Sequence, residues 1–259
     1  MKKGRLLEKE ALTDTIYRSG NIKRWYTQHF VPLDKRYILM IGGNDAYQKD
    51  KSLKYPMAIL DTRDENLIEV IHDIDKVSTF INPGYQLIAY HTIQDQYGDF
   101  WMATSSHGLI KFQLPPNWRN SEKVNLNVEH INLVEEERAH KDANTHITDL
   151  TSDNLGNLWV SSHVKGVYQI DNSLKSVKKL SYPEWVDPNK FVGEILEWGN
   201  SLWVDKDDKI WISQYPNHIG WFKDSLDQFE KINSNDIQFN KSFRGVLCED
   251  SKDNLWSFS

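Results

Sequence analysis

The sequence predicts an all-β fold made of repeated four-stranded antiparallel meanders, packed side by side as radial wedges. Three observations carry this expectation. The composition favours strands, a Trp-centred motif recurs along the chain, and tight-turn signals cut each repeat into short segments. Of 259 residues, 39% are hydrophobic and 26% charged, which is the balance of a globular chain. Aromatic residues reach 12%, with ten Trp among them, and such side chains suit half-buried pleated surfaces.

Aligned on its Trp, the motif reads DQYGDFWMATSSHGLIKF at 95–112 and DNLGNLWVSSHVKGVYQI at 153–170. It returns as DKDDKIWISQYPNHIGWF at 205–222 and DSKDNLWSFS at 250–259. A weaker relative, PLDKRYILMIGG at 32–43, carries Tyr37 in the Trp position. The anchors Tyr37, Trp101, Trp159, Trp211 and Trp256 are separated by 64, 58, 52 and 45 residues, a drifting period typical of repeat arrays.

The elements follow in order. Residues 4–12 read as a short helix or a lead-in strand. Residues 13–30 read as two strands around Ser19-Gly20-Asn21, and the long polar stretch 44–55 as an insertion in the first unit. Each later unit opens with a strand, such as HITDLTSD (146–153) or FRGVLCED (243–250). An Asp-x-x-Gly or Asp-x-x-Asp turn follows. There the Asp side chain caps the turn, and Gly or Asp tolerates a left-handed backbone. The Trp strand comes next, with both faces apolar, as in NLWVSS. A second turn leads to a third strand (GLIKF, GVYQI, IGWFK). A fourth strand closes the unit at 124–134, 176–182 or 227–232. The charge run at 134–144 reads as a solvated connection between units.

A lone four-stranded sheet cannot bury both faces, whereas radial stacking buries them and lets the Trp fill the wedge between neighbours. The expected architecture is therefore a β-propeller of about five blade units, forming one domain over 1–259. An ordinary sandwich would require four Trp motifs to recur by coincidence. The ends leave two readings open. Either 13–30 completes the last blade and the N- and C-terminal strands close the ring, or the chain is a segment of a larger propeller. Closure would hide strand edges and apolar faces.

The bulk properties exclude some classes. A net charge of −6 argues against a nucleic-acid binder, which needs a basic face. Cys248 is the only cysteine, so no intramolecular disulfide forms. No run approaches about 18 apolar residues, so no direct membrane insertion by a helix is expected. The N-terminus MKKGRLLEKEALTD lacks the apolar stretch of a signal peptide, which leaves a cytoplasmic address open.

The unit D-x-x-G-N-L-W-[VI]-x-[ST]…G-[LV]-x-x-[FI] resembles the two-component regulator propeller repeat, most strongly at 95–112 and 153–170. That resemblance implies a periplasmic, non-enzymatic sensor of glycan fragments. Its implied partners are an oligosaccharide ligand and the remainder of a hybrid histidine kinase sensor, or a dimer partner. The third unit, KIWISQYPNHIGWF, is also similar to streptogramin-lyase-type propellers, which implies a Mg-dependent, His-based elimination as the alternative. A protein-interaction scaffold is a third reading.

In a four-stranded blade, the second-to-third turns and the inter-blade connections share one face. His107, His163, Lys165, Tyr215 and His218 fall in or beside such turns. His146 starts an inner strand near the same face, and Trp198 and Arg244 hold roughly matching positions in the next units. These eight residues form the expected axial mouth, the concave place where propellers usually take ligands. Trp198, Tyr215 and Trp118 would stack on pyranose rings, and His and Arg would bind hydroxyls or carboxylates. The alternative is that they are unrelated turn residues on separate blades. No catalytic group, cofactor or metal is expected, since His-x-His, His-Glu-x-x-His, Cys-x-x-Cys, Walker and Gly-x-Ser-x-Gly patterns are all missing.

Overall fold

The structure, a computed structural model, describes residues 27–42, 57–64, 66–71, 89–104, 108–133, 146–162, 166–171, 173, 176–180, 201–214, 218–223, 228–232, 246–250 and 255–258. These residues form five sheets, with one short 3-10 turn at Trp118–Asn120. The first sheet holds β1 (Thr27–Pro32), β2 (Tyr37–Gly42), β3 (Met57–Asp61), β4 (Leu67–Ile71) and, at its edge, β8 (Lys123–Asn125). The second holds β5 (Ala89–Gln94), β6 (Phe100–Thr104), β7 (Leu109–Gln113) and β9 (Asn127–Ile131). The third is β10 (Ile147–Ser152), β11 (Leu158–Ser162), β12 (Gly166–Ile170) and β13 (Val177–Leu180). The fourth is β14 (Ser201–Val204), β15 (Ile210–Gln214), β16 (His218–Lys223) and β17 (Gln228–Lys231). Strands β18 (Val246–Glu249) and β19 (Leu255–Phe258) make a two-stranded sheet.

Successive strands within each meander are antiparallel, as short turns require. The sheets meet through their first strands, which contact one another in the order β1, β5, β10, β14, β18. That is the inner edge of a propeller. β6 and β11 are buried at every residue because each is sandwiched between two neighbouring blades. Three apolar layers result. Phe100, Met102 and Phe112 pack towards the first blade, Trp101 packs against the third, and Trp159 packs against the fourth. The Trp side chains thus fill the wedges between blades, as expected. Trp101 and Trp159 are each 3% exposed.

The turn chemistry explains why the motif spaces its Asp and Trp six residues apart. Asp95 Oδ1 accepts from the backbone N–H groups of Tyr97 and Asp99, and its Oδ2 accepts from the Trp101 indole N–H at 2.8 Å. Asp153 repeats the pattern with Leu155, Asn157 and the Trp159 indole, and Asp205 with Asp207, Lys209 and the Trp211 indole. One carboxylate therefore caps the turn and satisfies the only polar atom of a Trp otherwise packed in hydrocarbon. The fourth motif residue takes the left-handed backbone, with φ of 88° at Gly98, 83° at Gly156 and 64° at Asp208. A Cβ is costly there for most residues, and Asp is among the few that tolerate it.

The first blade differs from its sequence alignment. Val31 pairs with Leu39 just as Ile93 pairs with Trp101, so Leu39, not Tyr37, holds the anchor position. The cause is a turn that is displaced by one residue. Asp34 takes the backbone N–H groups of Arg36 and Tyr37, and its other oxygen accepts from Arg119. Tyr37 instead meets Trp118 edge-on at 4.9 Å. Residues 27–30, expected to help complete the last blade, belong to β1 and pair with β2 as the first blade's inner strand. The remainder of that stretch, 13–26, lies outside the described residues, as do 4–12, 44–55 and 134–144. The fourth strand expected over 124–134 is divided. Its first part is β8, which runs parallel to β4 in the first blade, and β9 alone closes the second blade.

Candidate functional site

Six of the eight residues expected at the axial mouth, His107, His163, Lys165, Trp198, Tyr215 and Arg244, lie outside the described residues. His218 opens β16, where its backbone pairs with Gln214. His146 directly precedes β10, whose first residue Ile147 pairs with Ser162 at the end of β11. Its ring stacks on Tyr90 of the neighbouring blade at 5.7 Å and 21°, with the Tyr90 hydroxyl 3.4 Å from Nε2. Trp118 is not available to stack on a sugar. It is 6% exposed, buried against Tyr37, and the guanidinium of Arg119 lies 4.2 Å from its ring centre.

The structure brings together a set that the sequence reading did not name. The inner strands of the first three blades each carry one bulge near the start, at Gln28, Tyr90 and Thr148. A bulge adds a residue to one strand and re-aims the side chains around it. The residues immediately after these bulges are His29, His91 and Asp149, paired with Ile41, Ala103 and Ser161 in the same register. Three matching positions on three adjacent inner strands thus carry two imidazoles and a carboxylate.

They form one connected belt. The rings of His29 and His91 stack at 5.9 Å and 28°. His91 Nδ1–H donates to Asp149 Oδ1 at 2.5 Å. Asp149 Oδ1 also accepts from the Leu150 N–H, and Oδ2 accepts from the Leu202 N–H of the fourth blade at 2.8 Å. Asp149 is buried, but the His91 side chain is 40% exposed, so the belt has an open side.

The two imidazoles are driven apart electrostatically. At His91, burial disfavours the cation, but the hydrogen bond and charge of Asp149 outweigh it and raise the pKa. At His29, burial and then the neighbouring His91 charge lower the pKa to about 4; Asp149 and the carbonyls of Ala89 and Tyr90 oppose this only in part. Between about pH 4 and 6.5, the pair therefore holds a cationic His91 ring beside a neutral His29. A polar rim of this kind, with Tyr90 and His146 adjoining it, can hydrogen-bond hydroxyls and oxyanions. A second hollow lies on the opposite face between the second and third blades, lined by Asp95, Asp99, Gly156 and Asp171. Its Asp95 and Asp171 carboxylates are occupied by turn donors, and Asp99 by Lys111.

The sequence matches no family model and no curated protein. Solved structures are similar in three dimensions. The extracellular domain of BT4673 from B. thetaiotaomicron is described as a putative one-component system in one structure and a hybrid two-component system in another. It matches with TM-scores of 0.57 and 0.54 at 13% and 14% identity. The chain shares the fold of the matched part of this extracellular domain. The match covers 90% and 89% of the chain but only 26% and 27% of the BT4673 domain. The extracellular domain of BT3049, a putative hybrid two-component system of the same organism, gives a TM-score of 0.51 at 14% identity, over 89% of this chain and 25% of that one. The virginiamycin B lyase of Staphylococcus aureus matches with a TM-score of 0.53 at 10% identity, over 90% of this chain and 65% of the lyase. The propeller thus spans about a quarter of the length of the extracellular domains it matches. Among its described residues, no helix is long and apolar enough to cross a membrane.

Proposed function

We propose that this propeller is a non-enzymatic ligand-sensing domain, which recognises a glycan fragment at its axial rim and signals through a two-component histidine kinase system. The observation that carries the reading is the belt His29–His91–Asp149, with the Tyr90–His146 stack beside it. It gathers polar and aromatic groups from three blades at the inner edge of the array. The fold likeness to the extracellular domains of BT4673 and BT3049 supports a sensor role outside the cytoplasm. His107, His163, Lys165, Trp198, Tyr215, His218 and Arg244 remain candidate contributors to the same mouth, and a kinase portion or a second copy is the partner that would read the ligand. Isothermal titration against acidic and neutral oligosaccharides tests this. The expected result is saturable binding by at least one member, lost in Tyr90→Ala. No binding to a folded protein overturns it.

The likeness to virginiamycin B lyase favours one second reading, a Mg-dependent elimination. Turnover of a lactone-type substrate that disappears in His218→Ala would establish it. No turnover with any such substrate removes it.

A further inference from the structure

The belt's charge pattern narrows the ligand's chemistry. The Asp149 carboxylate is fully committed: the His91 ring and the backbone N–H groups of Leu150 and Leu202 occupy it. The His91 imidazolium has given Nδ1–H to that carboxylate, which leaves Nε2–H as its other donor on a ring that is 40% exposed. His29 stacks against this ring, so any charge on His29 stands beside a like charge.

The groups facing His29 can be named strand by strand. From β5 comes His91, whose ring stacks on it, and from β10 comes Asp149, whose charge reaches it. β2, reading YILMIG, offers no charged side chain. The described residues thus present two imidazoles to one carboxylate that is already shared. The pair is one negative charge short of full protonation.

Resting on the sensor reading above, we propose that the site receives an oxyanion group of its ligand against the rings of His29 and His91, and that His29 takes up a proton from solvent as the group binds. The oxyanion supplies the missing charge. It accepts from His91 Nε2–H, and it stabilises a cationic His29 that burial and the neighbouring cation otherwise disfavour. Binding then weakens as pH rises, because the proton it needs becomes scarcer.

Inorganic sulfate is the probe, since it does not titrate between pH 4 and 8 and any proton taken up belongs to the protein. The ring resonances of His29 are followed by NMR from pH 3 to 8 in sodium sulfate and in sodium chloride of equal ionic strength. The expected result is a midpoint raised by about one unit or more in sulfate, a tenfold coupling between anion and proton. An unchanged midpoint overturns the proposal. Calorimetry in buffers of different ionisation enthalpy then measures the proton uptake directly, and His29→Gln should abolish it. Should that variant fail to fold, the wild-type titration still decides. Sugar binding without any sulfate effect would sink this inference and leave the sensor reading standing. A sulfate effect with no sugar binding would do the reverse.

Discussion

Asp153 shows how much one residue carries in this fold. It accepts from two turn amides, from the Asn157 side chain and from the Trp159 indole, all within seven residues of chain. Removing it leaves a buried indole N–H and the turn donors unmet. We expect Asp153→Ala to cost about 2–3 kcal/mol, read from denaturant unfolding, since bonds to a charged acceptor are worth about 1.5–3 kcal/mol. Trp159→Phe keeps the turn bonds and should cost less. The turn half of this arrangement was legible in the sequence: Asp capping and a left-handed fourth residue follow from the Asp-x-x-Gly spacing, and φ at Gly98 and Gly156 agrees. The indole bond was not legible. It depends on the Trp side chain folding back over the turn, which spacing alone does not specify. Tyr37 shows the limit of motif alignment. It looks like a degenerate Trp, yet a turn displaced by one residue hands the anchor position to Leu39.

Among the elements, β8 is the one that local pattern could not reveal. Val124 and Asn125 read as the start of the second blade's fourth strand, but β8 crosses back to run parallel with β4. Parallel pairing between distant segments leaves no short-range signal. What fixes β8 is burial: Val124 is 1% exposed and sits in the same apolar cluster as Val70 and Trp118. Arg119 secures the preceding 3-10 turn by donating to Asp34 at 2.9 Å. Val124→Ala should therefore destabilise the protein by about 2 kcal/mol, the value of burying a Val side chain. Amide exchange should quicken at Glu69 and Ile71 in β4, and unchanged exchange there would mean that β8 does not hold the edge. The inner strands posed a different difficulty. ITDLTS falls within the strand expected at 146–153, but the bulges that set His91 and Asp149 at one level are visible only in the register.

For the molecule as a whole, the belt makes stability depend on pH from both sides. His91 has a raised pKa in the folded state, because the hydrogen bond and charge of Asp149 outweigh burial. Its stabilisation is present below about 6.5, the unfolded value, and is lost as pH rises through the folded value. His29 is lowered to about 4, chiefly by burial, so the unfolded chain binds its proton first and stability falls between about 6.5 and 4 on acidification. Melting temperature against pH should show a maximum between these limbs. His91→Gln should flatten the alkaline limb and His29→Gln the acid one. Asp149→Ala goes further, since Asp149 joins the second, third and fourth blades. We expect a loss of about 2–3 kcal/mol, the worth of bonds to a charged acceptor when the His91 ring it leaves is part exposed, with unfolding that splits into more than one calorimetric transition.

That same carboxylate sets the order in which the blades can stand. Repeat arrays grow and shrink by copying whole units, and copying is harmless only while units are interchangeable. Here they are not. His91 and Asp149 occupy matching positions in consecutive blades, so each blade's partner is a chemically different neighbour. A second copy of the third blade, inserted beside the first, would set two carboxylates where an imidazole and a carboxylate now meet. Deleting that blade would leave His91 without its counter-charge. A side-chain pattern, rather than the backbone, has made this stretch of the propeller a fixed sequence of parts.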